Sequence, residues 1–148
     1  WREFMRYVAK IPSFGAIILN KQLDKILMNI YLSPQDDVIN KLDFPKGKVN
    51  EGEDDVTCAI REIKEEIGFD ISRYLNPDQF VQMQTIREKW VKLFIIIIDE
   101  RLIETRVSTN VEVQAVKWIN VSTFLSESLQ FGMQNPNCSA LQLAAEKQ

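Results

Sequence analysis

No histidine occurs anywhere in the 148 residues, which removes imidazole general bases, Ser-His-Asp and Cys-His nucleophilic sites, and histidine-ligated zinc. Only two cysteines are present, Cys58 and Cys138. They show neither metal-ligand spacing nor a disulfide framework, so a reducing compartment is expected. Long apolar stretches are also missing. The longest run, residues 93–98, is too short to cross a bilayer, and the N-terminus lacks the basic-then-apolar design of a signal peptide. No membrane partner is expected. Nor is there a large charge of one sign: a net charge of -3 gives no global attraction for nucleic acid, so any RNA contact has to come from a local basic patch. Chemistry is left to carboxylates, lysines and bound metal ions.

What is present is ordinary in bulk. A length of 148 residues is about one domain, and 45% apolar with 26% charged residues is a globular balance. No internal repeat or low-complexity tract occurs. The chain opens at Trp1 without a methionine, so it is expected to be a piece of a longer polypeptide.

Trp1, Phe4, Met5 and Val8 recur at helical spacing and stop before Ile11-Pro12, where the residue preceding proline disfavours helix. Residues 14–20 and 25–31 read as strands of a hairpin turning at Lys21-Gln22-Leu23-Asp24. Residues 32–43 read as loop. Residues 54–67 read as a helix closed by Gly68, with Val56, Ala59, Ile60, Ile63 and Ile67 on one core-facing stripe. After the turn at Asn76-Pro77-Asp78, residues 80–86 and 90–98 read as a strand pair. Within the second, residues 93–98 are apolar on both faces, as in a covered central strand. Residues 111–118 read as another strand, Ser122 followed by Phe124 and Leu125 as a helix start, and residues 137–147 as a last helix. This order predicts an α/β fold with a mixed sheet between helices.

Glu62, Glu65 and Glu66 stand at i, i+3 and i+4, so their carboxylates share one side of that helix. As helix design this is poor. Like charges at these spacings cost about 0.2 to 0.5 kcal/mol per pair, and all three lie where the helix dipole disfavours negative charge. The plain structural reading is a solvated acidic face. Glu53, Asp54 and Asp55 sit at the helix start, where acids are favoured, and read as capping. Upstream, Phe44-Pro45-Lys46-Gly47-Lys48 combines a glycine, which admits close backbone approach, with two lysines that supply point charges for phosphate. Clustered carboxylates facing such a turn are the hard oxygen ligands that Mg²⁺ or Mn²⁺ requires.

From Gly47 the sequence runs five residues to Glu53, seven more to Arg61, and then Glu62-Ile63-Lys64-Glu65-Glu66-Ile67-Gly68. The segment resembles the complete Nudix box, with every fixed position filled. The resemblance implies a Nudix-type α/β/α sandwich and metal-assisted attack of water on a phosphoanhydride. It implies metal ligation by Glu62, Glu65, Glu66 and the Gly47 carbonyl, with Glu66 also catalytic, and a box held together by Glu53 and Arg61. Further stretches are similar to the mRNA-decapping branch of the family: Glu3-Phe4-Met5-Arg6-Tyr7, Ile11-Pro12, Gly15-Ala16-Ile17, the turn at Phe44, Cys58 to Asp70, and Asn76-Pro77-Asp78-Gln79-Phe80.

That similarity implies a capped-RNA substrate, 7-methylguanosine diphosphate and 5′-monophosphate RNA as products, and a cytoplasmic setting that includes mRNA-decay granules. It makes Glu112 a further metal ligand or general base, against a plain reading as a solvent-facing strand residue. Lys46 and Lys48 would bind substrate phosphate, against a plain reading as surface lysines. Residues 1–10 would be the hinge of a missing N-terminal regulatory domain that binds a decapping activator, and 11–148 the hydrolase domain. No DNA partner is expected. The chain departs from the branch at Leu42, where a tryptophan is usual, in the long 32–43 loop, and in residues 139–148, where Lys147 stands against Glu146 in place of a basic RNA-binding helix. Lys89, Lys92, Arg101 and Arg106 are scattered alternatives. Two competing expectations are the same chemistry on a small substrate, such as a dinucleoside polyphosphate or nucleotide sugar, and a binding module without turnover. The retained Glu62, Glu65 and Glu66 argue against the second.

Overall fold

Alternation along three apolar runs builds the centre of the molecule. In the computed structural model, which describes residues 10–31, 41–85, 88–104, 106–107 and 115–130, β1 (Ser13–Asn20), β2 (Lys25–Tyr31) and β6 (Trp90–Ile98) carry most of the buried apolar side chains. Period-2 geometry sends Ile17, Leu19, Ile26, Met28, Leu93 and Ile95 to one face of the sheet and Ala16, Ile18, Leu27, Ile96 and Ile98 to the other. Each face needs a cover. α1 (Asp55–Ile67) supplies one through Ile63 and Ile67, and α2 (Val121–Gln130) the other through Phe124, whose ring lies 6.1 Å from that of Phe44.

The remaining elements are β3 (Lys41–Asp43), β4 (Lys46–Lys48), β5 (Phe80–Gln84), a 3-10 turn at Glu100–Leu102, β7 (Arg106–Val107) and β8 (Ala115–Asn120). Among the described residues the sheet has eight strands, in the order β5-β6-β1-β2-β8-β7, with β3 on β2 and β4 on β1. The β1–β6 pair is parallel and the other pairs antiparallel. The expected α/β/α sandwich with a mixed sheet is the fold found.

The hairpin turn falls at Lys21 to Asp24, with Leu23 in the left-handed region at φ 59°. Asn20 closes it, its Oδ1 accepting from the amides of Asp24 and Lys25 at 3.0 Å each. α1 starts on Asp54, whose side chain accepts from Thr57 N at 2.7 Å, and ends on Gly68 at φ 80°, whose amide reaches the Lys64 carbonyl.

Several expectations need correction. Residues 41–43, read as loop, form β3, because Asn29, Ile30 and Tyr31 offer them a backbone ladder. Lys46 to Lys48, read as a turn, extend as β4 against Ser13 to Gly15. On α1, Val56 and Ile60 are only partly buried, while Cys58 and Glu66 sit fully on the inward face. In β6 the two-sided burial fails at Ile97, which is 45% exposed. The expected helices at residues 1–8 and 137–147, the hinge at 1–10 apart from Lys10, residues 32–40 of the loop, Ile86, Cys138 and residues 111–114 lie outside the described residues.

Candidate active site

β1 sets the geometry because it pairs with β4 on one side and β6 on the other over the same residues, Ser13 to Gly15. The Gly47 strand is therefore fixed against α1. A side-chain carbon at Gly47 would fall on the carboxyl group of Glu62, so glycine is what lets that carboxylate lie directly against the β4 backbone. The Gly47 carbonyl accepts a weak bond from the Cys58 thiol at 3.6 Å.

Arg61 organises the front of α1. Its Nε and Nη2 donate to the two oxygens of Glu53 at 2.7 and 2.9 Å, a bidentate fork that holds the Glu53 carboxyl down at about 2. Its Nη1 donates to Glu62 at 2.9 Å and to Glu65 at 3.2 Å, and Nη2 also reaches the Lys48 carbonyl at 3.1 Å. One guanidinium thus offsets the repulsion among three carboxylates and ties β4 to the helix. The three acids at the helix start divide their tasks: Asp54 caps, Glu53 meets Arg61, and Asp55 meets Lys92 at 2.6 Å.

Glu66 lies apart from this group, on the buried side of α1. Asn29 Nδ2, on β2, donates to its Oε2 at 2.8 Å. Burial pushes the Glu66 carboxyl up to about 8 against the Asn29 bond, which opposes the rise; Glu62 adds to it and Lys46 opposes it. Burial also raises Glu62, against the pull of Arg61. Asn29 is 0% exposed, and its Oδ1 is the buried side-chain oxygen or nitrogen without a partner among the described residues. Leaving such an oxygen unpaired costs about 1 to 3 kcal/mol.

Beside this pair, Asp43 Oδ1 accepts from the Phe44 amide at 2.8 Å and from Lys46 Nζ at 2.5 Å. Lys46 is thus already engaged by an acid. Lys48 carries no carboxylate within ion-pair distance among the described residues. Lys89, in the β5–β6 turn, is lowered first by burial and then by the charges of Lys48 and Lys46, which places three lysine charges along one edge of the site.

The donors fit an oxygen-seeking divalent cation in kind: carboxylates, one backbone carbonyl, and a buried amide oxygen left unpaired. Glu62, Glu65 and Glu66 do not converge into a preformed cage. No group of three His, Cys, Asp or Glu side chains poised around one ion occurs among the described residues, and Arg61 supplies the positive partner of Glu62 and Glu65. A cation beside Glu66 would favour its charged form and draw its carboxyl back down.

The structure brings Gly47, Glu53, Arg61, Glu62 and Glu65 into one connected group, with Glu66 and Lys46 close to one another beside it and Lys48 exposed, its carbonyl bonded to Arg61. Glu112 lies outside the described residues. Lys92 is bonded to Asp55 at 2.6 Å, with its Nζ 4.0 Å from the Phe80 ring centroid. Arg101 is paired with Asp99 at 2.7 Å, and the Arg106 side chain lies outside the description. Sequence reasoning missed Asn29 and Asp43. The signal for Asn29 was present, an amide at an inward position of an otherwise apolar strand.

The family description "NUDIX domain" matches residues 9–137. Among curated proteins, the mRNA decapping complex subunit 2 of Schizosaccharomyces pombe is 39% identical over 123 residues, covering 80% of this chain and 15% of that protein. The m7GpppN-mRNA hydrolase of Saccharomyces cerevisiae is 34% identical over 119 residues, covering 80% of this chain and 12% of that protein. The chain therefore spans a small part of the length of these relatives. Among solved structures, a Caenorhabditis elegans Ap4A hydrolase binary complex superposes with a TM-score of 0.61 at 23% identity, covering 88% of this chain and 98% of that one. At that identity the likeness shows the fold.

Proposed function

Since this chain belongs to the Nudix family, we propose that it is the catalytic domain of a cytoplasmic mRNA-decapping hydrolase acting in mRNA decay. Its substrate would be 5′-capped RNA, cut by water at the cap phosphoanhydride into 7-methylguanosine diphosphate and 5′-monophosphate RNA. The observation that carries the reading is the seating of Glu62 against Gly47 and of Glu66 against Asn29 on the inner side of α1, in a domain whose curated relatives bear decapping names.

Nudix hydrolases generally require divalent metal ions, and we assign Mg²⁺ or Mn²⁺ to Glu62, Glu65, Glu66, Glu112 and the Gly47 carbonyl. When bound, such an ion would neutralise charge on phosphate oxygens and acidify a water. The protein's own residues do the rest. Arg61 ties the Lys48 carbonyl of β4 and Glu53 to α1, a link that would keep the Gly47 carbonyl near the acids of the helix. To Lys46, Lys48 and Lys89, whose charges act on one another, we assign contacts with the polyphosphate chain and the first RNA phosphates. Glu66 and Glu112 are the candidates to accept a proton from the attacking water. The activator partner, and recognition beyond the phosphates, we place in segments of the longer relatives, with residues 1–10 as the hinge and 11–148 as the domain.

The test compares turnover of a capped RNA of several tens of nucleotides with that of a dinucleoside polyphosphate. Cleavage that requires the RNA chain supports decapping. Equal or better cleavage of the dinucleotide would move the assignment to a small-nucleotide hydrolase, and no cleavage of either to a binding module.

A further inference from the structure

We infer that Asn29 is a positioning residue of this site: its Nδ2 holds Glu66, and its Oδ1 accepts a hydrogen bond from a water bound there. The inference deepens the proposed function and rests on its metal-site reading.

Three observations meet at this side chain. Asn29 is fixed in the backbone on both sides, opposite Asp43 of β3 and opposite Val116 of β8. It shares the α1-facing side of β2 with Leu27. There it is 0% exposed, with one end of its amide 2.8 Å from Glu66 and the other end without a partner among the described residues.

An inward position between Leu27 and the helix suits an aliphatic residue, and a buried amide with one end unpaired is destabilising there. The arrangement is explained if a donor occupies the free end. The protein offers few. The charged groups nearest Glu66 are Glu62 and Asp43, which as carboxylates only accept, and Lys46, whose Nζ is bonded to Asp43. With Glu66 in the charged form that a bound cation favours, turning the amide over would set its oxygen against a carboxylate that only accepts. None of these described charged groups is free to donate, whereas a water coordinated to a divalent cation would donate strongly because coordination makes its protons more acidic. Asn29 would thus fix the direction of Glu66 and of one site water together. Partners of this kind around metal ligands typically change metal affinity or activity by about 10- to 100-fold when removed.

The test uses the purified chain, stripped of metal and titrated with Mn²⁺ alone by calorimetry, alongside thermal melting and steady-state turnover of capped RNA. Asn29→Leu, which removes both amide atoms at similar volume, is expected to leave the metal-free melting temperature unchanged or higher. It should weaken Mn²⁺ binding by about 10-fold or more and lower kcat, with KM for RNA within about twofold. If the leucine variant does not fold, Asn29→Ala removes the same atoms and carries the same expectation for Mn²⁺. A folded variant with Mn²⁺ affinity within about twofold of the native chain would overturn the inference and leave Asn29 a structural amide. Because the titration needs no RNA, failure of the native chain to cut capped RNA would sink the proposed substrate while Asn29 is still decided.

Discussion

Replacing Gly47 with alanine would place a methyl carbon on the carboxyl carbon and both oxygens of Glu62. Ordinary carbon–carbon contact is about 3.5 Å, so the carboxylate would have to retreat by roughly 1 Å or more. It can do so without moving the backbone, because it ends a flexible side chain. The retreat would break the Arg61–Glu62 bond at 2.9 Å, while the Arg61 fork to Glu53 on the opposite side stays intact. A partly exposed ion pair of this kind is worth up to about 1 kcal/mol, which in a domain of this size lowers the melting temperature by about 2 to 4 °C. Catalysis should suffer far more, since a reacting group misplaced by about 1 Å costs on the order of 100-fold. Thermal melting and kcat/KM on capped RNA, measured on the same preparation, read the two effects separately. Turnover within about threefold of the native chain would refute the placement of Glu62 in the site. A melting loss corresponding to more than about 3 kcal/mol would show that Gly47 serves the fold instead.

Gly15→Ala should behave in the opposite way, because its methyl would meet the Pro45 carbonyl oxygen and the Lys46 backbone, which cannot swing aside. Overpacking of this kind costs about 1 to 3 kcal/mol, and a melting temperature within 1 °C of the native value would contradict it. Cys58 is buried, and its thiol is pushed up to about 12 by that burial and by the Glu53 carboxylate. With so little thiolate at pH 8, iodoacetamide should label Cys58 only after denaturation; peptide mapping that finds it alkylated in the native protein would count against this packing. Lys89→Gln should raise KM for capped RNA and reduce the slope of log affinity against log salt by about 0.7, the value for one phosphate contact on a single strand. An unchanged slope would remove Lys89 from the phosphate edge.

The strands were legible because β1, β2 and β6 carry enough apolar residues for their period to stand out, and α1 because Asp54 and Gly68 mark its ends chemically. The inward place of Glu66 was missed. Glu66 stands three residues after Ile63 and seven after Ala59, on the buried stripe of α1, while the Glu65 side chain is 56% exposed; the charge of Glu66 made it read as part of an acidic face instead. Asn29 and Asp43 escaped for another reason: their partners, Glu66 and Lys46, are identified only once β2, β3 and α1 are assembled. The partner of Lys92 was hidden because a lysine in a strand looks the same in sequence whether it faces solvent or a fixed carboxylate such as Asp55. β3 was hidden by its three-residue length, too short for a period to show.

The most direct test of the central claim is to incubate the purified chain, with Mg²⁺ or Mn²⁺, with RNA labelled in its cap phosphates and to identify the released nucleotide. Release of 7-methylguanosine diphosphate that stops with EDTA and is lost in Glu66→Gln is expected. Release of a different nucleotide, or 7-methylguanosine diphosphate formed at the native rate by the Glu66→Gln chain, would contradict the assignment of this site to cap hydrolysis.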